Sequence, residues 1–187
     1  MPLTTLDPKT ALIVIDLQKG IVGLPTAHPT GPVVSKSARL ASTFRQAALP
    51  VVLVNVTGGA PGRAEQSRRL TDLPPDWADL VPELDRQPTD ILISKRTWGA
   101  FMHTDLEAQL RALEVSQVVL TGIATSIGVE STARQAYELG FNVSFAIDAM
   151  TDLNAEAHVN SIERIFPRMG ERGSTDELIA MLASSSR

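Results

Sequence analysis

Five short runs of apolar, largely β-branched residues punctuate this chain, and they constrain its fold more than any other feature. They are Ala11 to Ile15 (ALIVI), Pro50 to Val56 (PVVLVNV), Asp90 to Ser94 (DILIS), Val118 to Leu120 (VVL) and Asn142 to Ile147 (NVSFAI), with a weaker sixth at Glu171 to Ser174. Runs this short and this uniformly apolar suit strands covered on both faces. Between them lie stretches of helical spacing: about Val33 to Ala48, Asp105 to Leu113, from about Ile127 onward, Ala155 to Phe166 with Pro167 as its stop, and Thr175 to Ala183. Such alternation predicts an α/β fold, a parallel sheet with helices on both faces. The length of 187 residues suits a single domain spanning 1–187, with the serine-rich tail Ser184 to Arg187 expected to fray.

Ligands of open parallel sheets bind at the carboxyl ends of the strands, so the residues just past each run matter most. ALIVI leads into Asp16, and DILIS into Lys95. VVL leads into TGIATSIGV, a tight turn that opens a helix and sets backbone N–H groups at the sheet edge. Taken alone, Asp16 reads as a turn cap and Lys95 as a cation reaching for solvent. The loop Gln18 to Pro32 passes over the strand ends, where Gln18, Leu24 and His28 could line a pocket, His28 reading as a surface loop residue. Trp98 and Phe101, beside Lys95, could stack on a flat substrate or pack at a subunit contact. Thr104 is expected to cap the next helix, with Glu107 completing a capping box. Thr57 to Pro88, rich in Gly and Pro, is too long for an ordinary connection and predicts short helices with a lid or subunit contact. Its Arg63, Arg68 and Arg69 read as solvated or paired with nearby acids.

Composition narrows the function. A formal charge of −4 gives no reason to expect nucleic acid or an anionic membrane as partner. The absence of cysteine excludes disulfides, thiolate metal sites and a thiol nucleophile. Three histidines, at 28, 103 and 158, have no ligand spacing, so no metal is expected, and nothing calls for another cofactor. With no leader pattern and no apolar run of membrane-spanning length, a cytoplasmic location is the default expectation.

Three motifs in order, IVIDLQKGI, SKRTWGAFMHTDLEAQLRAL and TGIATSIGVESTARQAYELG, carry a resemblance that runs from about Ala11 to Leu182. The chain resembles the isochorismatase-like cysteine hydrolase superfamily, which includes nicotinamidases, ureidoacrylate hydrolases and isochorismatases. The resemblance implies six strands in the order 3-2-1-4-5-6, so that Asp16 and the Gly122 to Gly128 turn face each other across a switch-point crevice. It implies Asp16 and Lys95 as catalytic residues, a cis peptide between Ile123 and Ala124, and the N–H groups of Ala124 and Gly128 as oxyanion donors. Gln18, Leu24, Trp98, Phe101 and Thr125 become the expected substrate pocket.

Two departures from that pattern matter. The amidase members' cysteine falls on Gly128, and the nicotinamidases' Asp-x-His metal pair falls on Asn55, Val56 and Thr57. Thr125 and Ser126 do not replace the thiol, since backbone capping suits both better. The isochorismatases of the superfamily also carry glycine there, and they cleave an enol ether without covalent catalysis. Three readings remain open: a hydrolase of a small enol-ether carboxylate such as isochorismate, a water-dependent small-amide hydrolase, or a small-molecule binding protein that kept the pocket. A homo-oligomer is expected, with Leu73, Trp77, Leu80 and Val81 offering apolar contact.

Overall fold

The computed structural model describes residues 3–65 and 73–185; Arg68 and Arg69 fall outside them. Six strands, β1 (Thr10–Ile15), β2 (Val51–Val56), β3 (Ile91–Lys95), β4 (Gln117–Ile123), β5 (Asn142–Thr151) and β6 (Gly170–Gly173), form one parallel sheet. Their order is β3-β2-β1-β4-β5-β6, with helices on both faces.

The strand period of two divides the core. Ala11, Ile13 and Ile15 of β1 point to one face, where they join Leu106 and Leu110 of α3 (Leu106–Ala112) and Ala133 and Ala136 of α4 (Glu130–Glu138). Leu12 and Val14 point to the other, against Leu40, Ala41 and Phe44 of α2 (Thr30–Gln46) and Leu178 of α6 (Thr175–Ser185). Every residue of β1 is buried, as a central parallel strand requires. α1 (Lys19–Val22) is a single turn, and α5 (Ala155–Asn160) precedes β6.

Several elements differ from the sequence expectation. The fifth strand does not stop at Ile147 but runs to Thr151, shifting register against β4 between Leu120 and Gly122. Asp148 therefore lies within the strand, where it accepts from Thr175 N and Oγ1 at 2.7 and 2.9 Å and pairs with Lys36 at 2.9 Å. α4 is preceded by a wider π turn, Thr125–Val129, and α5 runs on into a second, Ser161–Ile165. The capping box at α3 does not form. Thr104 Oγ1 donates to the Ala100 carbonyl at 2.6 Å and accepts from Leu106 N only at 3.3 Å, while Glu107 pairs with Arg111.

Among its described residues, the long connection between β2 and β3 holds a short 3₁₀ turn, Pro82–Leu84, and a bridge from Leu80 to Gln18. Three of the four residues expected to offer apolar contact are spent within the chain: Trp77 lies against Gly20, Leu80 packs on the core and Val81 is buried, while Leu73 is half-buried. They do not form the exposed patch expected of them. Among the described residues, no helix is long and apolar enough to cross a membrane.

Candidate active site

The chain winds away from β1 in both directions, through β2 and β3 on one side and β4 to β6 on the other, leaving a crevice at the carboxyl ends of β1 and β4. Asp16 sits at the mouth of β1 with a left-handed φ of 51°, a conformation costing most residues about 1–2 kcal/mol but tolerated by aspartate. Its N–H is held by the Val54 carbonyl at 3.0 Å. Lys95 ends β3, in register with Val56, and reaches over β2 to donate to Asp16 Oδ2 at 2.7 Å. A second donor bond goes to the Thr97 carbonyl at 3.2 Å.

Both groups are buried, at 5% and 2% exposure, and among the described residues Asp16 Oδ1 has no hydrogen-bond partner. Burial raises the Asp16 pKa from its ordinary 3.8 to about 6, against the charge and hydrogen bond of Lys95, which lower it. A carboxyl in this setting can hold a proton near neutrality and can also lose it, because a cation waits beside it.

The turn after β4 faces this pair. Gly122 pairs with Ile15 at a φ of 118°, and a Cβ there would lie 2.0 Å from the Ile15 carbonyl oxygen, so only glycine fits. The Ile123–Ala124 peptide is cis. At Gly128 a Cβ would stand 3.2 Å from Asp16 Oδ2 and 2.9 Å from Ile15 Cγ2, which puts the thiol's expected position directly against the carboxylate. Hydrogen bonds fix the turn on every side. Thr132 Oγ1 donates to the Gly128 carbonyl at 2.7 Å and accepts from Ala100 N at 3.1 Å, tying the turn to the loop after Lys95. Gln135 Oε1 accepts from Phe101 N at 3.0 Å, and Asp152 Oδ2 accepts from Ser126 N at 2.6 Å.

The expected pocket residues separate. Gln18 is buried with its amide spent on the backbone: Oε1 accepts from Val56 N at 2.7 Å, and Nε2 donates to the carbonyls of Val56 and Trp77, each at 3.1 Å. It is a strut between strand and loop, not a pocket wall. Phe101 is core, its ring centroid 5.9 Å from that of Phe141. Trp98 is 66% exposed, and Leu24 is half-buried in its loop. Thr125 is buried, and its hydroxyl does not cap the backbone but shares a hydrogen bond with His158 Nδ1 at 2.8 Å.

Sequence reasoning missed Thr132, Gln135, Asp152 and His158. No sequence spacing signals a contact such as that between Thr125 and His158, which depends on the packing of α5 against the turn. A groove of about 580 Å³, lined in part by Val34, Arg45, Val81 and Leu84, lies on the outer side of α2 and includes neither Asp16 nor Lys95. Among the described residues no three His, Cys, Asp or Glu side chains converge as a metal ion would need.

Known proteins share this sequence pattern and this fold. Residues 10–177 match the isochorismatase domain family. An uncharacterized isochorismatase family protein of Escherichia coli, YecD, is 45% identical over 183 residues, covering 92% of this chain and 96% of that protein. Another of Bacillus subtilis, YwoC, is 42% identical over 178 residues, covering 91% and 93%. The solved structure of an isochorismatase family protein from Burkholderia thailandensis superposes with a TM-score of 0.92 at 40% identity, covering 96% of this chain and 98% of that one.

Proposed function

This chain belongs to the isochorismatase family of hydrolases, and on that premise we propose that it hydrolyses a small enol-ether carboxylate, isochorismate being the type case, with water as the nucleophile. The observation that supports this reading is Asp16, a protonatable carboxyl with an unpartnered oxygen, set against a glycine where a nucleophilic thiol would otherwise stand. Asp16 gives its proton to the terminal carbon of the enol ether, and positive charge develops on the ether-bearing carbon. Water attacks that carbon and returns a proton to Asp16. The resulting hemiketal breaks its bond to the ring oxygen, releasing pyruvate and the ring alcohol.

Lys95 assists at the moment of transfer. Burial keeps the acid protonated before reaction, and the ammonium 2.7 Å away stabilises the carboxylate as the proton leaves, an interaction stronger in the transition state than in the ground state. The N–H groups of Ala124 and Gly128 are the candidate donors to the hemiketal oxygen.

The test is pyruvate release from isochorismate. Asp16→Asn is expected to lower it by about 10² to 10⁴ while binding persists. Because the protonated form is required, the rate falls with rising pH above about 6. Turnover of small amides with a rate that instead rises through that pH would sink the reading in favour of a water-dependent amidase. The protein is further read as a homo-oligomer, with exposed Leu92, Trp98 and Met102 near the β3 edge as the contact. A single-chain mass by light scattering at micromolar concentration would refute that.

A further inference from the structure

The Asp16–Lys95 pair is committed to the proton transfer, so the charge of a carboxylate substrate calls for further donors. Among the described residues five arginines are also committed: Arg39 to Asp176, Arg45 to Asp90, Arg111 to Glu107, Arg134 to Glu130 and Arg172 to Glu163. Beyond the turn, however, two imidazoles meet. The rings of His28 and His158 lie 4.9 Å apart, tilted by 56°. Each is tethered through Nδ1 to a threonine hydroxyl, His28 to Thr151 at 3.2 Å and His158 to Thr125 at 2.8 Å. Thr125 lies in the turn that carries Gly128, and Thr151, at the end of β5, pairs with Ile123 just ahead of that turn. Among the described residues neither Nε2 has a hydrogen-bond partner.

The tethers say what these nitrogens seek. Thr151 Oγ1 accepts the backbone N–H of His28 at 3.2 Å and has its own hydrogen to give to the ring Nδ1. With that hydrogen directed to Nδ1, the ring proton of His28 sits on Nε2, as a donor. A donor there suits an anion, whereas a metal ion would need a lone pair at that nitrogen. Asp152 does not fill the role, since its oxygens are taken by the N–H groups of Ser126 at 2.6 Å and Asn154 at 3.2 Å. Burial, then the neighbouring His28, hold the His158 pKa below its ordinary 6.5 while Asp152 pulls the other way.

We infer that His28 and His158 form the seat for the substrate's carboxylate on the β4–β5 side of the crevice, with Thr125 and Thr151 as positioning residues. This rests on the reading of a carboxylate-bearing substrate, yet binding can be measured without turnover. The chain has three histidines, so His103 serves as an internal reference. Pyruvate titrated at constant pH, with the imidazole resonances followed by NMR, is expected to shift His28 and His158 saturably and leave His103 in place. His158→Asn keeps a polar group toward Thr125, and His28→Asn alters an exposed side chain. Each is expected to weaken pyruvate binding about tenfold and to raise KM for isochorismate similarly, with kcat little changed. Rings that stay unmoved, or that all move alike, overturn the seat. If isochorismate is inert while pyruvate still shifts the pair, the enol-ether reading fails and the seat stands; turnover with unmoved rings leaves the reading and removes the seat.

Discussion

On the β1 side of the crevice a carboxylate and an ammonium are buried against each other at 2.7 Å; on the β4 side two imidazoles are tethered by hydroxyl groups and carry no ion pair. What the first arrangement leaves open, among the described residues, is one carboxyl oxygen, Asp16 Oδ1, the atom free to carry the proton. The second leaves two ring nitrogens, the Nε2 atoms, open. An acid that must give up a proton needs a cation close by but no counter-ion to spare, whereas a site that receives an anion needs uncommitted donors. The crevice thus divides its work, with proton transfer on one bank and charge recognition proposed for the other, and the turn at Gly128 lies between them.

Removing the cation tests the first bank most severely. Lys95→Met is expected to lower kcat by about 10² to 10³, the usual cost of losing one preorganised electrostatic partner. It also removes the influence that lowers the Asp16 pKa, so the falling limb of the rate should move above its native position near 6. Stability follows the same sign. A carboxyl whose folded pKa is raised from 3.8 to about 6 favours the fold fully below the lower value, and that contribution is lost as pH rises through the upper one. Without Lys95 the loss should extend to higher pH in denaturant titrations. A limb that stays near 6 in the variant would show that another group sets it.

Gly128→Ala probes the ground between the banks. The added Cβ would meet Ile15 Cγ2 at 2.9 Å and Asp16 Oδ2 at 3.2 Å. Ile15 is β-branched, central and fully buried, so it cannot swing aside at little cost. A loss of about 1–3 kcal/mol in stability is expected, with a larger proportional loss of activity because the methyl occupies the space next to the acid. Equal activity at unchanged stability would mean that substrate does not enter between Gly128 and Asp16.

Legibility in the sequence differs between the banks for a physical reason. The strands β1, β2 and β4 announce themselves because a covered parallel strand must be apolar throughout, whereas β3 is an edge strand with Leu92 and Ser94 exposed; the three motifs direct attention to Asp16, Lys95 and Gly128 at or beyond the ends of these strands. Gln18 and Phe101 depart from the pocket expected of them because a position near a site does not say which way a side chain turns: Gln18 turns inward to satisfy Val56 and Trp77, and Phe101 joins Phe141 in the core. The histidine pair is illegible. It exists only because β5 runs on to Thr151 and α5 folds back over the turn, and neither can be read from local periodicity.

The smallest expected effect separates the banks most cleanly. Thr125→Val keeps the shape of the side chain and deletes only the hydroxyl that meets His158 Nδ1 at 2.8 Å. Loss of one such hydrogen bond is expected to cost about 1 kcal/mol in a denaturation experiment, since His158 can still use Nε2. If Thr125 positions His158 for an anion, the variant should raise KM for isochorismate modestly and leave the pH limb of Asp16 where it was, because neither Asp16 nor Lys95 loses a partner. A mere packing role predicts the stability loss with KM unaltered. A shift of the limb itself would mean that the two banks are electrostatically coupled through the turn, and the division of labour between them would have to be given up.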